Sequence, residues 1–139
     1  MNKRKTWFMK NLIAIIVVIA GLLSTAMYAQ VTCTAKAPGQ VGAGQAFYLT
    51  YELNEKAEKL PAIDFANFKY AGGPSQRMSS STNIISGKVS MTQSYSYTYT
   101  LIAEKEGTFT LPAVTFTVKN QPIKSNALNI VVTAASQNQ

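Results

Sequence analysis

The sequence predicts an all-β chain: an immunoglobulin-like antiparallel β-sandwich of about seven strands, preceded by a signal peptide. Three observations predict it. From residue 30 to residue 133 the apolar positions recur with a period of two, the spacing of a half-buried strand, and no 3.6-residue period is visible. Turn residues interrupt this alternation at short intervals, as they do in two-layer domains of about 100 residues. In front of the alternating region stands a short apolar run, Leu12–Leu23, led by Lys3, Arg4, Lys5 and Lys10.

That front segment reads as an export signal over residues 1–29. A basic start, a twelve-residue apolar stretch and the small residues Ser24, Thr25, Ala26 and Ala29 occur in the order of a cleavable leader. A bilayer-spanning helix needs about 20 apolar residues, more than this run supplies. Cleavage is expected after Ala29, with Ser24-x-Ala26 as a competing site. An uncleaved anchor from Leu12 to Tyr28 is the alternative. Cys33 is preceded by Gln30-Val31-Thr32, which is not a lipidation box. It shares the odd, apolar positions with Val31 and Ala35, and is expected on a buried face as a small hydrophobe.

The strands follow in order. Val31–Ala37 is closed by Pro38-Gly39, and Gly42-Ala43-Gly44 opens Ala46–Leu53, whose inward set is Phe47, Leu49, Tyr51 and Leu53. Asn54–Lys59 is expected to be a solvated loop. The stretch Ile63–Tyr70 is expected to end at a Gly72-Gly73-Pro74 turn. Met78–Ile85 and Val89–Leu101 flank Ser86-Gly87-Lys88 and read as a hairpin. Thr108–Leu111, Val114–Val118 and Leu128–Val132 complete the set, with Asn120-Gln121-Pro122 as a turn. Residues 30–133 form the sandwich, and residues 134–139 are expected to be a disordered polar tail. The predicted core comprises Phe47, Leu49, Tyr51, Tyr97, Tyr99, Leu101, Phe109, Leu111, Phe116 and Ile130.

The composition excludes several kinds of chemistry. The chain has no His and one Cys, so it has no His-based zinc site, no Ser-His-Asp or Cys-His catalysis and no intramolecular disulfide. Glu52, Glu55 and Glu58 stand in a lysine-bearing loop, Asp64 stands alone, and no Asp cluster suits calcium. Ser86-Gly87-Lys88 lacks the other residues of a phosphate-binding loop. The expectation is no enzyme, no metal and no cofactor. The formal charge of +7 is concentrated in the leader, and beyond it nine scattered basic residues face six acids. Nothing there forms the basic, aromatic-interleaved patch of a nucleic-acid binder, so no nucleic acid is expected as a partner.

Two surfaces remain as candidates. Tyr95, Tyr97 and Tyr99 share one face of one strand at about 7 Å spacing. Buried, the row is core; exposed, that row, or Tyr48 beside polar groups, would make a carbohydrate-binding or adhesive module. The second candidate is a partner-binding loop and edge: Pro74, Ser75, Gln76 and Arg77, then Ser79 and Ser81. Loops vary on a rigid scaffold, and a polar edge strand with few charges invites strand addition. The plain alternative is a turn that only connects two strands.

Several segments together resemble one family. Val41-Gly42-Ala43-Gly44-Gln45-Ala46-Phe47 resembles the Gly-x-Gly-x-x-Phe opening of the BatD family, the Bacteroides aerotolerance protein D family. Phe65-Ala66-Asn67-Phe68 leads to Gly73-Pro74-Ser75-Gln76, and then come Asn83–Lys88 and the Tyr-rich strand. Lys105–Ala113 and Lys124–Val132 close the match, which resembles that family's N-terminal region along nearly the whole chain after the leader. The resemblance implies a non-enzymatic, membrane-associated protein of the bacterial periplasm or envelope, linked to oxygen or stress tolerance. It implies envelope partners, namely von Willebrand-type proteins linked to a MoxR-type ATPase, and it supplies no catalytic residue. Attachment to the inner membrane is expected only through an uncleaved leader or through those partners.

Overall fold

Phe47, Leu49, Tyr51 and Leu53 alternate with polar residues, and the strand they build is the centre of the molecule. The computed structural model describes residues 6, 9–11 and 30–135. The chain divides into two units, Met1–Gln30 and Val31–Gln139. Of the first, Thr6 and residues 9–11 are helical. The apolar run Leu12–Leu23, the expected cleavage position after Ala29 and most of the expected polar tail lie outside the described residues.

In the second unit nine strands follow one another among the described residues: β1 Cys33–Lys36, β2 Gln40–Gly42, β3 Ala46–Leu53, β4 Phe68–Ile85, β5 Lys88–Ala103, β6 Gly107–Leu111, β7 Thr115–Val118, β8 Gln121–Lys124 and β9 Leu128–Thr133. One sheet has the order β1-β3-β5-β4, and β2-β9-β6 and the β7-β8 pair form two further sheets. The count is nine rather than about seven because two short strands carry too little alternation to be seen. Three-residue β2 pairs parallel with β9, the exception in an otherwise antiparallel arrangement. β8 begins at Gln121, since Lys119 and Asn120 alone make the turn, both with positive φ. Two-residue turns with both φ positive match strand twist, and Ser86-Gly87 closes the β4–β5 hairpin in the same way.

The core lies between the four-stranded sheet and the smaller ones. Tyr51 and Tyr97 meet Phe116 of β7 at ring distances of 5.3 and 5.9 Å. Phe68 meets Phe109 of β6 edge-on at 5.7 Å. Nine of the ten predicted core residues are buried, and Phe109 is half-buried against the cluster. The segment from Asn54 is a loop with Lys56, Glu58 and Lys59 exposed, and Ala57 alone is buried against the core, its N–H donating to Tyr97 Oη at 3.2 Å. A buried phenol needs a partner, and this loop supplies it.

Candidate functional site

β4 carries every residue singled out as a partner surface, but not as a loop. Gly72, Gly73, Pro74, Ser75 and Gln76 lie inside the strand, where pairing with β5 shifts register twice, between Tyr70 and Gly72 and between Gly72 and Ser75. The expected turn is therefore a bulge in a continuing strand, the device that re-aims a strand without ending it. The Gly73–Pro74 peptide is cis. Gly73 has φ +106°, and a Cβ there would stand 2.6 Å from the carbonyl oxygen of Thr98, so only glycine fits. The Tyr70 hydroxyl donates to the Gly73 carbonyl and ties the bulge to the strand before it.

Beyond the bulge β4 and β5 run on as a two-stranded arm. Register pairs Met78 with Tyr95, Thr82 with Met91 and Ile84 with Val89, so these side chains share the face that looks toward the core lower down. Past the half-buried Tyr95 nothing among the described residues covers this face: Met78, Ile84, Val89 and Met91 are exposed, Met91 by 67%. Val89 and Met91 hold the positions that alternation assigns to the inward face of β5, and both stand in solvent. Their alternation is regular, but the opposite sheet ends before it reaches them. Ser79 and Ser81 sit on the other face of the arm, opposite Ser94 and Thr92, on a strand that is the outer edge of its sheet.

Ser75, Gln76 and Arg77 belong to a different constellation. With Thr50, Ser96 and Thr98 they line a shallow cavity of about 520 Å³ on the outer face of the four-stranded sheet. Register assembles it, because Thr50 lies opposite Thr98 and Thr98 opposite Ser75, while Ser96 lies between Glu52 and Arg77. The Thr50 and Thr98 hydroxyls are hydrogen-bonded at 3.1 Å. Lys36 Nζ pairs with Glu52 Oε2 at 2.7 Å beside them. Tyr48 stands on the same face one step along β3, opposite Thr100, and is 66% exposed. The polar half of each alternating strand was visible in the sequence. What brings Thr50, Ser96 and Thr98 to Arg77 is strand pairing, which alternation alone does not contain.

The tyrosine row is core and no platform. Tyr97 and Tyr99 are buried and Tyr95 is half-buried, its hydroxyl 3.4 Å from Gln93 Oε1. The carbohydrate reading that rests on that row is therefore corrected. Burial pushes the Tyr51 phenol up to about 12, with the neighbouring Tyr99 and Cys33 adding to the shift. It raises Tyr99 as well, where Tyr70 and Tyr97 contribute. Cys33 is half-buried against the core, as its strand position requires, and burial pushes its thiol up to about 11. A thiol held protonated is a poor nucleophile. Among the described residues no three His, Cys, Asp or Glu side chains are grouped to hold a metal. No helix there is long and apolar enough to cross a membrane.

A family model described as BatD DUF11 like domain matches residues 34–132, from the second residue of β1 to Val132 of β9, which pairs with Gly107 of β6. No curated protein and no solved structure matches the chain.

Proposed function

Because the chain belongs to the BatD family through residues 34–132, we propose that it is an exported, non-enzymatic module that binds and scaffolds protein partners of the bacterial envelope. The observation that carries this reading is the β4–β5 arm. Its outer strand is long and unpaired along one side, and from Met78 to Ile85 it has no charged residue and no proline. Edge strands are normally blunted by such residues, and an edge without them is a template for another chain's strand. Ser79 and Ser81 lie on that edge, and Met78, Ile84 and Met91 offer an apolar face beside it. The partners expected from the family are von Willebrand-type proteins linked to a MoxR-type ATPase, in a setting of oxygen or stress tolerance.

The experiment is affinity capture from envelope membranes with the full chain and with Ser80→Pro. Hydrogen-bonded pairs alternate down the hairpin from Ile85–Lys88, so the Ser80 N–H faces the open edge, and proline there removes one edge donor and leaves the core untouched. Recovery of von Willebrand-type proteins by the wild type, and their loss with Ser80→Pro, is the expected result. Equal recovery by both would remove the arm from the reading. Export belongs to the same proposal. N-terminal sequencing of envelope protein should start at Gln30, and a start at Met1 in a detergent-extracted fraction would favour the anchor.

A further inference from the structure

We propose that the outer face of the β1-β3-β5-β4 sheet, between Tyr48 and Arg77, binds a short oligosaccharide that bears carboxylate groups. The inference goes beyond the scaffold reading and uses a different surface, since the arm's edge and tip take no part in it. Sugar rings ask two things of a protein: a flat aromatic ring for their C–H faces and a dense set of hydroxyl, amide or charged groups for their hydroxyls. Both are present here. Tyr48 projects its ring into solvent, with a phenol that both donates and accepts. Thr50, Thr98, Ser75 and Ser96 line the adjoining cavity with four hydroxyls.

The dimensions suit a chain of rings better than one small molecule. Tyr48 and Arg77 are separated by two register steps, Tyr48 lying opposite Thr100 and Arg77 opposite Ser96. That is about 14 Å along the strands and about 10 Å across them from β3 to β4. The cavity is open and polar, so it has no grip on an apolar ligand. A rigid sheet also presents its side chains without a loop to order on binding.

Charge decides which sugar. Lys36 and Glu52 neutralise each other beside the cavity, and the remaining charge lining it is the Arg77 guanidinium, which makes no ion pair among the described residues. β4 and β5 together carry Lys69, Arg77 and Lys88 and no Asp or Glu at all. A guanidinium fork matches a carboxylate bidentately, and hydrogen bonds of that kind are roughly twice as strong as neutral ones. An acidic sugar therefore gains at Arg77 what a neutral one does not.

The test is calorimetric titration of the full chain, held in a neutral detergent for the sake of its leader, with tetragalacturonate, tetramannuronate and neutral maltotetraose. At least one uronate should bind, at least tenfold more tightly than maltotetraose, and more weakly as salt rises. Arg77→Gln should weaken uronate binding at least tenfold and abolish the preference over maltotetraose. Tyr48→Ala should weaken all saccharide binding. Both side chains are exposed, so the fold should survive both changes. Arg77→Lys keeps the charge without the fork and should fall between wild type and Arg77→Gln. Silence with both uronates overturns the proposal, as does binding that ignores Arg77 and Tyr48. Capture of protein partners through the arm would stand or fall separately, because Ser80 lies outside this cavity.

Discussion

β4 and β5 pair over nearly their whole length, yet the two ends of that ribbon live in different environments. Near its base Tyr97, Tyr99 and Leu101 point into the sandwich and are buried, Leu101 completely. Toward its tip Val89 and Met91 occupy the same face by the same alternation and stand in solvent. Local sequence is nearly identical in character across the two ends. The difference comes from β6, β7 and β9, which cover one end only. Period-two patterning thus specifies a face, and a second sheet decides whether that face becomes core. The uncovered end is free to do something other than hold the molecule together.

The comparison is tested most severely by truncating one residue at each end. Leu101→Ala removes a fully buried side chain and should lower unfolding stability by about 2–5 kcal/mol. Met91→Ala should change it by no more than about 0.5 kcal/mol, since an exposed side chain leaves no cavity. Denaturant titration of both variants measures this directly. Similar losses at the two positions would mean that the arm is packed against something, and the contrast drawn above would be wrong.

Gly73 marks the junction between the two ends. Its replacement by Ala combines an unfavourable positive φ with a Cβ 2.6 Å from the Thr98 carbonyl oxygen. Backbone strain of this kind costs about 1–3 kcal/mol, and the contact adds to it unless β4 shifts. Amide hydrogen exchange of Gly73→Ala should show faster exchange around Thr98 and Thr100 while Leu49 and Tyr51 stay protected. Uniform loss of protection would instead make the bulge a part of the global fold.

A smaller loss is expected where the second layer is fastened. The Ser125 side chain is buried; its Oγ accepts from the Val114 N–H at 2.9 Å and donates to the Asn126 carbonyl at 3.1 Å. Ser125→Ala strands a buried N–H, which costs about 1–3 kcal/mol. Thermal unfolding should register this as a lowered midpoint. An unchanged midpoint would mean that Val114 finds water instead.

Much of the covered end could be read from the sequence alone. Phe47, Leu49, Tyr51 and Leu53 announce their face by strict alternation, and the Ser86-Gly87 turn announces the hairpin. The bulge could not be read, because Gly72-Gly73-Pro74 has the composition of a turn, and only pairing with β5 shows that the strand continues. The short strands β2 and β8 escaped for related reasons: the three residues of β2 hold too few alternations, and β8 opens on Gln121-Pro122, which has the composition of a turn. The outer-face cavity was half legible. Ser75, Gln76 and Arg77 were singled out as a loop, whereas Thr50, Ser96 and Thr98 join them only through register across three strands.

The weakest expected effect separates the two ends by pH. Cys33 belongs to the covered end, packed against the core, and burial raises its thiol pKa from 9.0 to about 11. Unfolding releases the thiol to its ordinary value, so the unfolded chain loses this proton first as pH rises. The protonated thiol therefore contributes stability that is complete below pH 9 and is lost progressively from pH 9 to about pH 11. Tyr51 behaves likewise from pH 10 to about pH 12, which leaves the interval from pH 9 to pH 10 to the thiol. Because Cys33 is only half-buried, solvent screens the effect and the slope should be shallow. Wild type and Met91→Ala should both show a falling denaturation midpoint across that interval, while Cys33→Ala should stay level until pH 10. A slope that persists in Cys33→Ala would assign the alkaline loss to other groups and detach the thiol from the stability of the covered end.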